Sequence, residues 1–181
     1  VRRLDPFWDR CQQHDIPIFI HPTSFASDRF SAHYLTNIIG NPLDTTVAMH
    51  YLIFGGVLER FPNLKFVLSH GGAFAAAYAG RMDHAYGARP DCRENISMPP
   101  SYYLEKFYPD SLVFTIEQLQ YLINRFGPDH VLIGTDYPFD MGEYDPVEHV
   151  YQVPGLSSAN RDLICGGNAL RLMNMTEEDC K

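Results

Sequence analysis

Three residues of the sequence can bind a metal ion or transfer a proton, and each stands shortly after an apolar segment. His21 directly follows one apolar run, His70 follows a second run after one serine, and Asp136 comes three residues after a third. If these runs are parallel strands of one sheet, their carboxyl ends meet at one edge and the three side chains converge. Imidazole nitrogens and carboxylate oxygens are ligands for divalent ions such as zinc, and both groups exchange protons. The pattern therefore predicts a metal-dependent active site at one end of a sheet.

Each of these residues also has a purely structural interpretation. A histidine after an apolar run is commonly a packing or capping residue, and Asp136, two residues before Pro138, could order a turn with its side chain. The joint placement of three such residues at three strand ends favours the functional interpretation. His33 lies in the loop after His21 and is the next candidate ligand. The other histidines lack this placement and are interpreted as surface or packing residues: His14, His50, His84, His130 and His149.

The apolar periodicity alternates between strand and helix along the chain. Helical spacing predicts helices at about 4–14, 47–58, 74–86 and 116–126, and a helical tail from about 158 that is broken at 166–168. Asn41 is predicted to cap the second helix, with Pro42 as its first residue. Short apolar runs predict strands at 16–20, 64–68, 111–114 and 131–133. The sequence therefore predicts four strands that alternate with helices.

Four alternating strands and helices require parallel pairing through right-handed crossovers. An open doubly wound sheet and an arc of a (β/α)₈ barrel both satisfy this requirement. Neither G-x-G-x-x-G nor G-x-x-x-x-G-K-[ST] occurs in the sequence, which argues against a nucleotide-binding open sheet. Polar residues at the ends of separate strands are typical of barrels. The prediction is an α/β fold with parallel strands that forms part of a TIM-type barrel.

The composition limits the classes of partner. The chain has 181 residues and a net charge of −8, with acidic residues spread along it, so a nucleic-acid or anionic membrane partner is not expected. No run approaches the roughly 20 apolar residues of a membrane span. Four separated cysteines without a CxxC pair predict reduced thiols in a cytoplasmic protein. Because the chain begins at Val1 rather than methionine, we interpret it as preceded by a further segment.

Four sequence segments resemble those of a known enzyme family. They are IFIHP at 18–22, RFPNLKFVLSHGGA at 60–73, LIGTDYPF at 132–139 and GNA at 167–169. Together they resemble the decarboxylase-like branch of the amidohydrolase superfamily, the branch of the aminocarboxymuconate-semialdehyde, resorcylate and carboxyvanillate decarboxylases. The segments span nearly the whole chain. The resemblance implies a metal-dependent carbon–carbon lyase, or a hydrolase, that acts on a small carboxylate substrate.

The resemblance also implies roles for individual residues. His21 and Asp136 would be metal ligands, and His70 would be the acid and base at the metal site, a catalytic role shared with Asp136. Arg81 would bind the substrate carboxylate of a neighbouring subunit in a homodimer, although a solvated helix arginine would look the same in sequence. Phe139 would lie beside the substrate, although a core aromatic residue is the alternative. Zinc is the metal first expected, and manganese, iron and cobalt accept the same ligands.

One feature of the family is missing from this sequence. The first strand of the family barrel carries a His-x-His pair that supplies two further metal ligands, and no His-x-His occurs here. We interpret residues 1–181 as one domain, the C-terminal half of the barrel with about strands 5–8, whose N-terminal half is absent. Such a half would expose a sheet edge and apolar surfaces.

Three functional hypotheses follow. The first is a non-oxidative decarboxylase of an unsaturated or aromatic carboxylic acid. The second is a metal-dependent hydrolase or hydratase that uses the same site, because one fold hosts many chemistries. The third is a catalytically incompetent segment, because two protein ligands bind a metal weakly.

Overall fold

A parallel sheet forms the centre of the computed structural model, which describes residues 2–23, 25 and 27–180. Strands β1 (Ile18–Ile20), β2 (Phe66–Leu68) and β3 (Phe107–Pro109) pair in the order β1-β2-β3, and both pairings are parallel. A single parallel bridge continues the sheet from Asp110 to Leu132. The predicted α/β class with parallel strands is confirmed. The domain limits at residues 1 and 181 fall outside the described residues.

The positions of the last two predicted strands differ from the structure. The predicted strand at 111–114 is wrong, since β3 ends before it and the amide of Leu112 donates to the side chain of Asp110. Phe114 then has a φ of 64°, which a strand does not allow. In the predicted strand at 131–133, only Leu132 forms a bridge, because the next amide, that of Ile133, bonds to the carbonyl of Ile164. The described residues therefore form three strands and one bridge.

Nine α-helices surround the sheet within the described part of the chain. They are α1 (Asp5–Gln13), α2 (Asn41–Phe54), α3 (Val57–Arg60), α4 (Ala75–Ala88), α5 (Pro100–Leu104), α6 (Ile116–Phe126), α7 (Pro146–Tyr151), α8 (Ser158–Asp162) and α9 (Asn168–Leu172). Shorter 3₁₀ turns lie at Arg2–Leu4, Asp28–Phe30, His70–Gly72, Pro90–Arg93 and Glu177–Cys180, and π turns at Thr36–Gly40 and Leu163–Gly167.

Two predictions for the second helix are corrected. Asn41 is not a cap, because the π turn Thr36–Gly40 runs directly into α2 and Gly40 already has helical backbone angles. The predicted helix at 47–58 is divided, since Gly56 has a left-handed φ of 67° and lies directly before α3. A side chain at Gly56 would meet the carbonyl of Asn95 at 2.3 Å. The glycine therefore breaks the helix and lets the loop at Asn95 approach.

The two faces of the sheet differ in burial. Phe66, Leu68 and Phe107 are fully buried beneath the helices. On β1, Phe19 points the other way and is 59% exposed. Together with Val67 and other apolar residues it lines an open cavity of about 200 Å³. One face is thus covered by helices and the other is partly open.

Assignment of these strands to particular barrel positions stays a prediction. None of the described helices combines the length and the apolar character that crossing a membrane requires.

Gly71 gives a first testable prediction, on stability. Its φ is 64°, and a Cβ there would lie 2.3 Å from Val113 Cγ1 and 2.9 Å from Leu122 Cδ1. We expect Gly71→Ala to lower the free energy of unfolding by about 3 kcal/mol, through overpacking and left-handed backbone strain. Gly80→Ala is the control, because nothing lies within 4 Å of its Cβ position inside α4; it should raise stability by about 0.5–1 kcal/mol. Urea unfolding measures both, and a Gly71→Ala variant as stable as the parent would contradict the expectation.

Candidate metal centre and active site

His21, His70 and Asp136 lie together at one edge of the sheet. One potential ligand atom from each residue lies within 4.8 Å of the other two. His21 Nε2 is 3.2 Å from Asp136 Oδ1, and His70 Nε2 is 3.7 Å from Asp136 Oδ2. The two imidazole rings are 5.1 Å apart between centroids. The structure therefore brings together the three residues that the sequence singled out.

Strand geometry explains this convergence. His21 follows β1 directly, and His70 follows β2 after Ser69, whose amide donates to the carbonyl of Ile20 on the neighbouring strand. Asp136 follows the segment that bridges β3 at Leu132. Because the strands run parallel, all three residues leave the sheet at its carboxyl edge, where parallel barrels carry their active sites.

The backbone at two of these residues is unusual. His70 and Asp136 have φ values of 57° and 52°, in the left-handed region. Non-glycine residues rarely adopt this region, and those that do are concentrated at functional sites. Asp136 also precedes the cis peptide bond between Tyr137 and Pro138.

Two adjoining cavities share His21, Asp136 and Phe139. One has a volume of about 410 Å³ and also contacts Asp110, and the other, of about 260 Å³, also contacts His70. The ring of Phe139 stacks with that of His21 at 6.5 Å and an interplanar angle of 18°. Phe139 is 56% exposed, so it forms an aromatic wall of the site rather than part of the core.

Arg81 and His33 are not brought to this cluster. Arg81 is exposed on α4 and lines a different, apolar cavity of about 730 Å³ beside α2, with Val47 and Tyr78. Among the described residues that line the two cavities at His21, Arg81 does not occur. His33 is exposed and does not belong to the group of three among the residues searched.

Asp110 is a site residue that the sequence analysis missed. It follows β3 directly and is only 7% exposed. Its Oδ1 accepts hydrogen bonds from the amides of Gly71, at 2.7 Å, and Leu112, at 3.1 Å. Burial raises the pKa of the Asp110 carboxyl, and the two amides and nearby His70 act in the opposite direction. The predicted strand at 111–114 had placed Asp110 before a strand instead of at a strand end, which hid this position.

The three clustered residues fit a divalent cation. A tetrahedral ion with ligand bonds of about 2.0–2.2 Å holds its ligand atoms about 3.5 Å apart. His21 Nε2 lies 3.2 Å from Asp136 Oδ1 and His70 Nε2 lies 3.7 Å from the other oxygen, Oδ2, which is near this separation, and one ligand atom from each of the three residues lies within 4.8 Å of the other two. Two imidazoles and one carboxylate form a donor set that zinc, manganese and iron accept. Small side-chain adjustments would therefore suffice for His21, His70 and Asp136 to face one ion.

Solved structures share the fold over nearly the whole chain. The 5-carboxyvanillate decarboxylase from Sphingomonas paucimobilis aligns with a TM-score of 0.84 and 27% identity, covering 94% of this chain and 53% of that one. A dihydroxybenzoic acid decarboxylase from a Polaromonas strain, solved with bound manganese and an inhibitor, aligns with a TM-score of 0.80 and 24% identity, covering 95% of this chain and 54% of that one. At 24% identity, the similarity to the Polaromonas enzyme shows a shared fold and nothing further.

Sequence comparison identifies the family. The 2-amino-3-carboxymuconate-6-semialdehyde decarboxylase of Dictyostelium discoideum is 37% identical over 174 residues, which are 95% of this chain and 48% of that protein. The chain thus spans about half the length of the curated relatives it matches. A family model described as amidohydrolase matches residues 1–174. Together with the half-open parallel sheet and the histidine and aspartate residues at its carboxyl edge, this match establishes that the chain belongs to the amidohydrolase family.

Proposed function

We propose that the protein that contains this chain is a metal-dependent, non-oxidative decarboxylase of an unsaturated or aromatic carboxylic acid. The observation that carries the proposal is the convergence of His21, His70 and Asp136 at the carboxyl edge of the sheet. The 37% identity to the Dictyostelium decarboxylase supports the choice of reaction. Because the chain spans about half of that relative, the proposal concerns a protein in which the rest of the site is present.

In this proposal His21 and Asp136 hold a divalent cation. When bound, the cation supplies a Lewis acid that stabilises the negative charge that develops on the substrate during loss of carbon dioxide. The donor set suits zinc, which the sequence favoured, and also manganese, iron or cobalt. The manganese in the Polaromonas structure makes zinc and manganese the first two ions to test.

His70 manages the proton in the proposed reaction. Its Nδ1 is buried and has no hydrogen-bond partner among the described residues, whereas its Nε2 faces Asp136. Nε2 is thus the nitrogen that can reach a substrate in the cavity. As the bond between carbon and the carboxyl group breaks, its electron pair stays on the substrate carbon, and a proton from His70 replaces the carboxyl group. Asp136 Oδ2 lies 3.7 Å from Nε2, so the proton donor and the proposed metal ligand face the same cavity.

The substrate contacts proposed for Phe139 and Arg81 differ in their support. Phe139 forms a wall of the cavity, where its exposed ring offers a stacking surface for a conjugated acid.

Arg81 lies beside another cavity, so it would bind the substrate carboxylate only if it reached the site of a second copy. We therefore propose a homodimer. Sedimentation equilibrium of the parent protein and of Arg81→Ala measures the mass, and a monomeric active enzyme contradicts this role of Arg81.

The test of the proposed function compares the chain alone with a two-half protein, in which the chain is combined with the part of the Dictyostelium relative that it does not match. Both samples are stripped with a chelator and restored with zinc or manganese, and metal content is measured. We expect about one tightly held ion per chain, and release of carbon dioxide from 2-amino-3-carboxymuconate-6-semialdehyde or 5-carboxyvanillate, only when both halves and metal are present.

Other outcomes have distinct meanings. Turnover that persists unchanged without metal contradicts the proposal. A product that gains the mass of water instead of losing carbon dioxide indicates a hydrolase or hydratase. If the chain alone holds one ion tightly, the remaining half is not needed for metal binding, and His21 and Asp136 have partners other than a His-x-His pair.

A further inference from the structure

His70 begins a turn with an unusual backbone. The residues His70, Gly71, Gly72 and Ala73 have consecutive φ values of 57°, 64°, 68° and 56°. A left-handed conformation costs roughly 1–2 kcal/mol for each non-glycine residue. The turn therefore needs contacts outside itself to persist, and the orientation of the His70 imidazole depends on those contacts.

Asp110 supplies the shortest of these contacts. Within the turn, Gly72 donates to the carbonyl of Ser69 at 3.1 Å, and Ala73 donates to that of His70 at 2.9 Å. The amide of Gly71 has a different partner, Asp110 Oδ1 at 2.7 Å, which comes from the end of β3 and is 39 residues away in sequence. The same oxygen accepts from Leu112 at 3.1 Å, which fixes the carboxyl group against its own loop.

The neighbouring segment is shaped to admit this carboxyl group. A Cβ at Gly134 would lie 2.7 Å from Asp110 Cβ and 2.8 Å from its Cγ. Only a glycine at this position leaves room for the side chain. The amide of Gly134 donates to Ser111 Oγ at 3.2 Å, which holds the two loops together. Asp110 is thus packed between the turn that carries His70 and the loop that carries Asp136.

We infer that Asp110 is a positioning residue that fixes the His70 imidazole by accepting the hydrogen bond of the Gly71 amide. The essential property is the acceptor oxygen, and an uncharged acceptor of the same shape serves as well. Asp110 itself does not touch the substrate in this scheme. The structural part of the inference stands by itself, while its effect on turnover rests on the proposed decarboxylase function.

Nuclear magnetic resonance of the isotope-labelled 181-residue chain tests the structural part. In the parent chain we expect a scalar coupling across the hydrogen bond between Gly71 N and Asp110 Cγ. In Asp110→Ala we expect amide hydrogen exchange at Gly71 to accelerate at least about 10-fold, and the imidazole signals of His70 to shift. In Asp110→Asn, which keeps the acceptor oxygen, the exchange rate at Gly71 and the imidazole signals of His70 should stay close to the parent values. The spectrum of His70→Asn identifies the His70 signals.

Asp83→Ala is the matched control. Asp83 Oδ1 accepts the amide of Ser101 at 2.9 Å, so this variant also removes a carboxyl acceptor of a backbone amide, but between α4 and α5. We expect faster exchange at Ser101 and unchanged His70 signals. The inference is overturned if the coupling at Gly71 is absent in the parent chain, or if Asp110→Ala leaves the His70 signals in place. The coupling is measured without any substitution, so its absence overturns the inference even if Asp110→Ala fails to fold.

Kinetics in the active two-half protein tests the effect on turnover. We expect Asp110→Ala to lower kcat about 10–100-fold with KM changed less than about threefold, as for other residues that orient a metal-site group. Asp110→Asn should restore kcat to within about threefold of the parent, and Asp83→Ala should not change it. If Asp110→Ala and Asp110→Asn lowered kcat equally, the proposal that the acceptor oxygen is the essential feature of Asp110 would be overturned. If no decarboxylation occurs in any variant but the His70 signals move only in Asp110→Ala, the proposed function fails and the positioning role stands.

Discussion

Asp136→Asn should abolish tight binding of a divalent cation and, with it, decarboxylation. Asp136 is the shared member of the cluster, since its two oxygens face His21 and His70 at 3.2 and 3.7 Å. Its side chain is 11% exposed, so water cannot easily replace the lost carboxylate. An amide of the same shape keeps the packing and removes the anionic ligand. Loss of a residue that orients a metal ligand costs about 10–100-fold in affinity, so loss of a ligand itself should cost about 100-fold or more.

Calorimetric titration with manganese and zinc measures this loss in the two-half protein. Asp145→Asn is the matched control, because it removes one negative charge nine residues away in the same loop. The Asp145 side chain caps α7 by accepting the amide of Glu148, a task that asparagine performs equally well. This control should bind metal as the parent does. Asp136→Asn with unchanged metal affinity would show that the ion, if present, binds elsewhere.

The parts of the fold that the sequence predicts are those set by local patterns. Helix α6 occupies the predicted residues 116–126, because its apolar stripe is regular and Thr115 provides a cap that accepts the amide of Gln118. Strand β3 was misplaced because it overlaps the aromatic segment at 102–108, which also contains the end of α5. The aromatic residues of this segment form two adjacent pairs, at 102–103 and 107–108, which match neither the helix period nor the strand period. The π turn before α2 depends on loop contacts that no local pattern encodes.

The residues of the candidate site also differ in whether the sequence alone could predict them. The meeting of His21, His70 and Asp136 could be predicted, since each follows an apolar segment of the sheet and parallel pairing brings the ends of these segments together. Asp110 could not, because its importance lies in a hydrogen bond to Gly71 and in the space left by Gly134. Both partners are distant in sequence. The role proposed for Arg81 requires a second copy of the chain, because Arg81 lines a different cavity of its own chain.

His70→Asn should lower kcat by about 10²–10⁴-fold while KM changes little, because general acid and base catalysis contributes that much when the proton donor is positioned. Asparagine is the suitable replacement, since it tolerates the φ of 57° at this residue better than other side chains do. It is polar, shorter than histidine and unable to deliver a proton near neutral pH. The variant thus separates loss of the proton donor from collapse of the left-handed turn.

The control for this variant is His33→Asn, which changes the same residue type at a matching φ of 56°. His33 is exposed and outside the three-residue group, so kcat and metal content should stay at the parent values. Steady-state kinetics with elemental analysis of each protein provides the measurement.

A His70→Asn variant that keeps its metal but loses turnover identifies His70 as the proton donor. A variant that keeps kcat within threefold assigns the proton to another group, and one that loses its metal places His70 among the metal ligands. The three outcomes follow from one structural fact: His70 Nε2 lies close enough to Asp136 both to act on a substrate and to face the same ion.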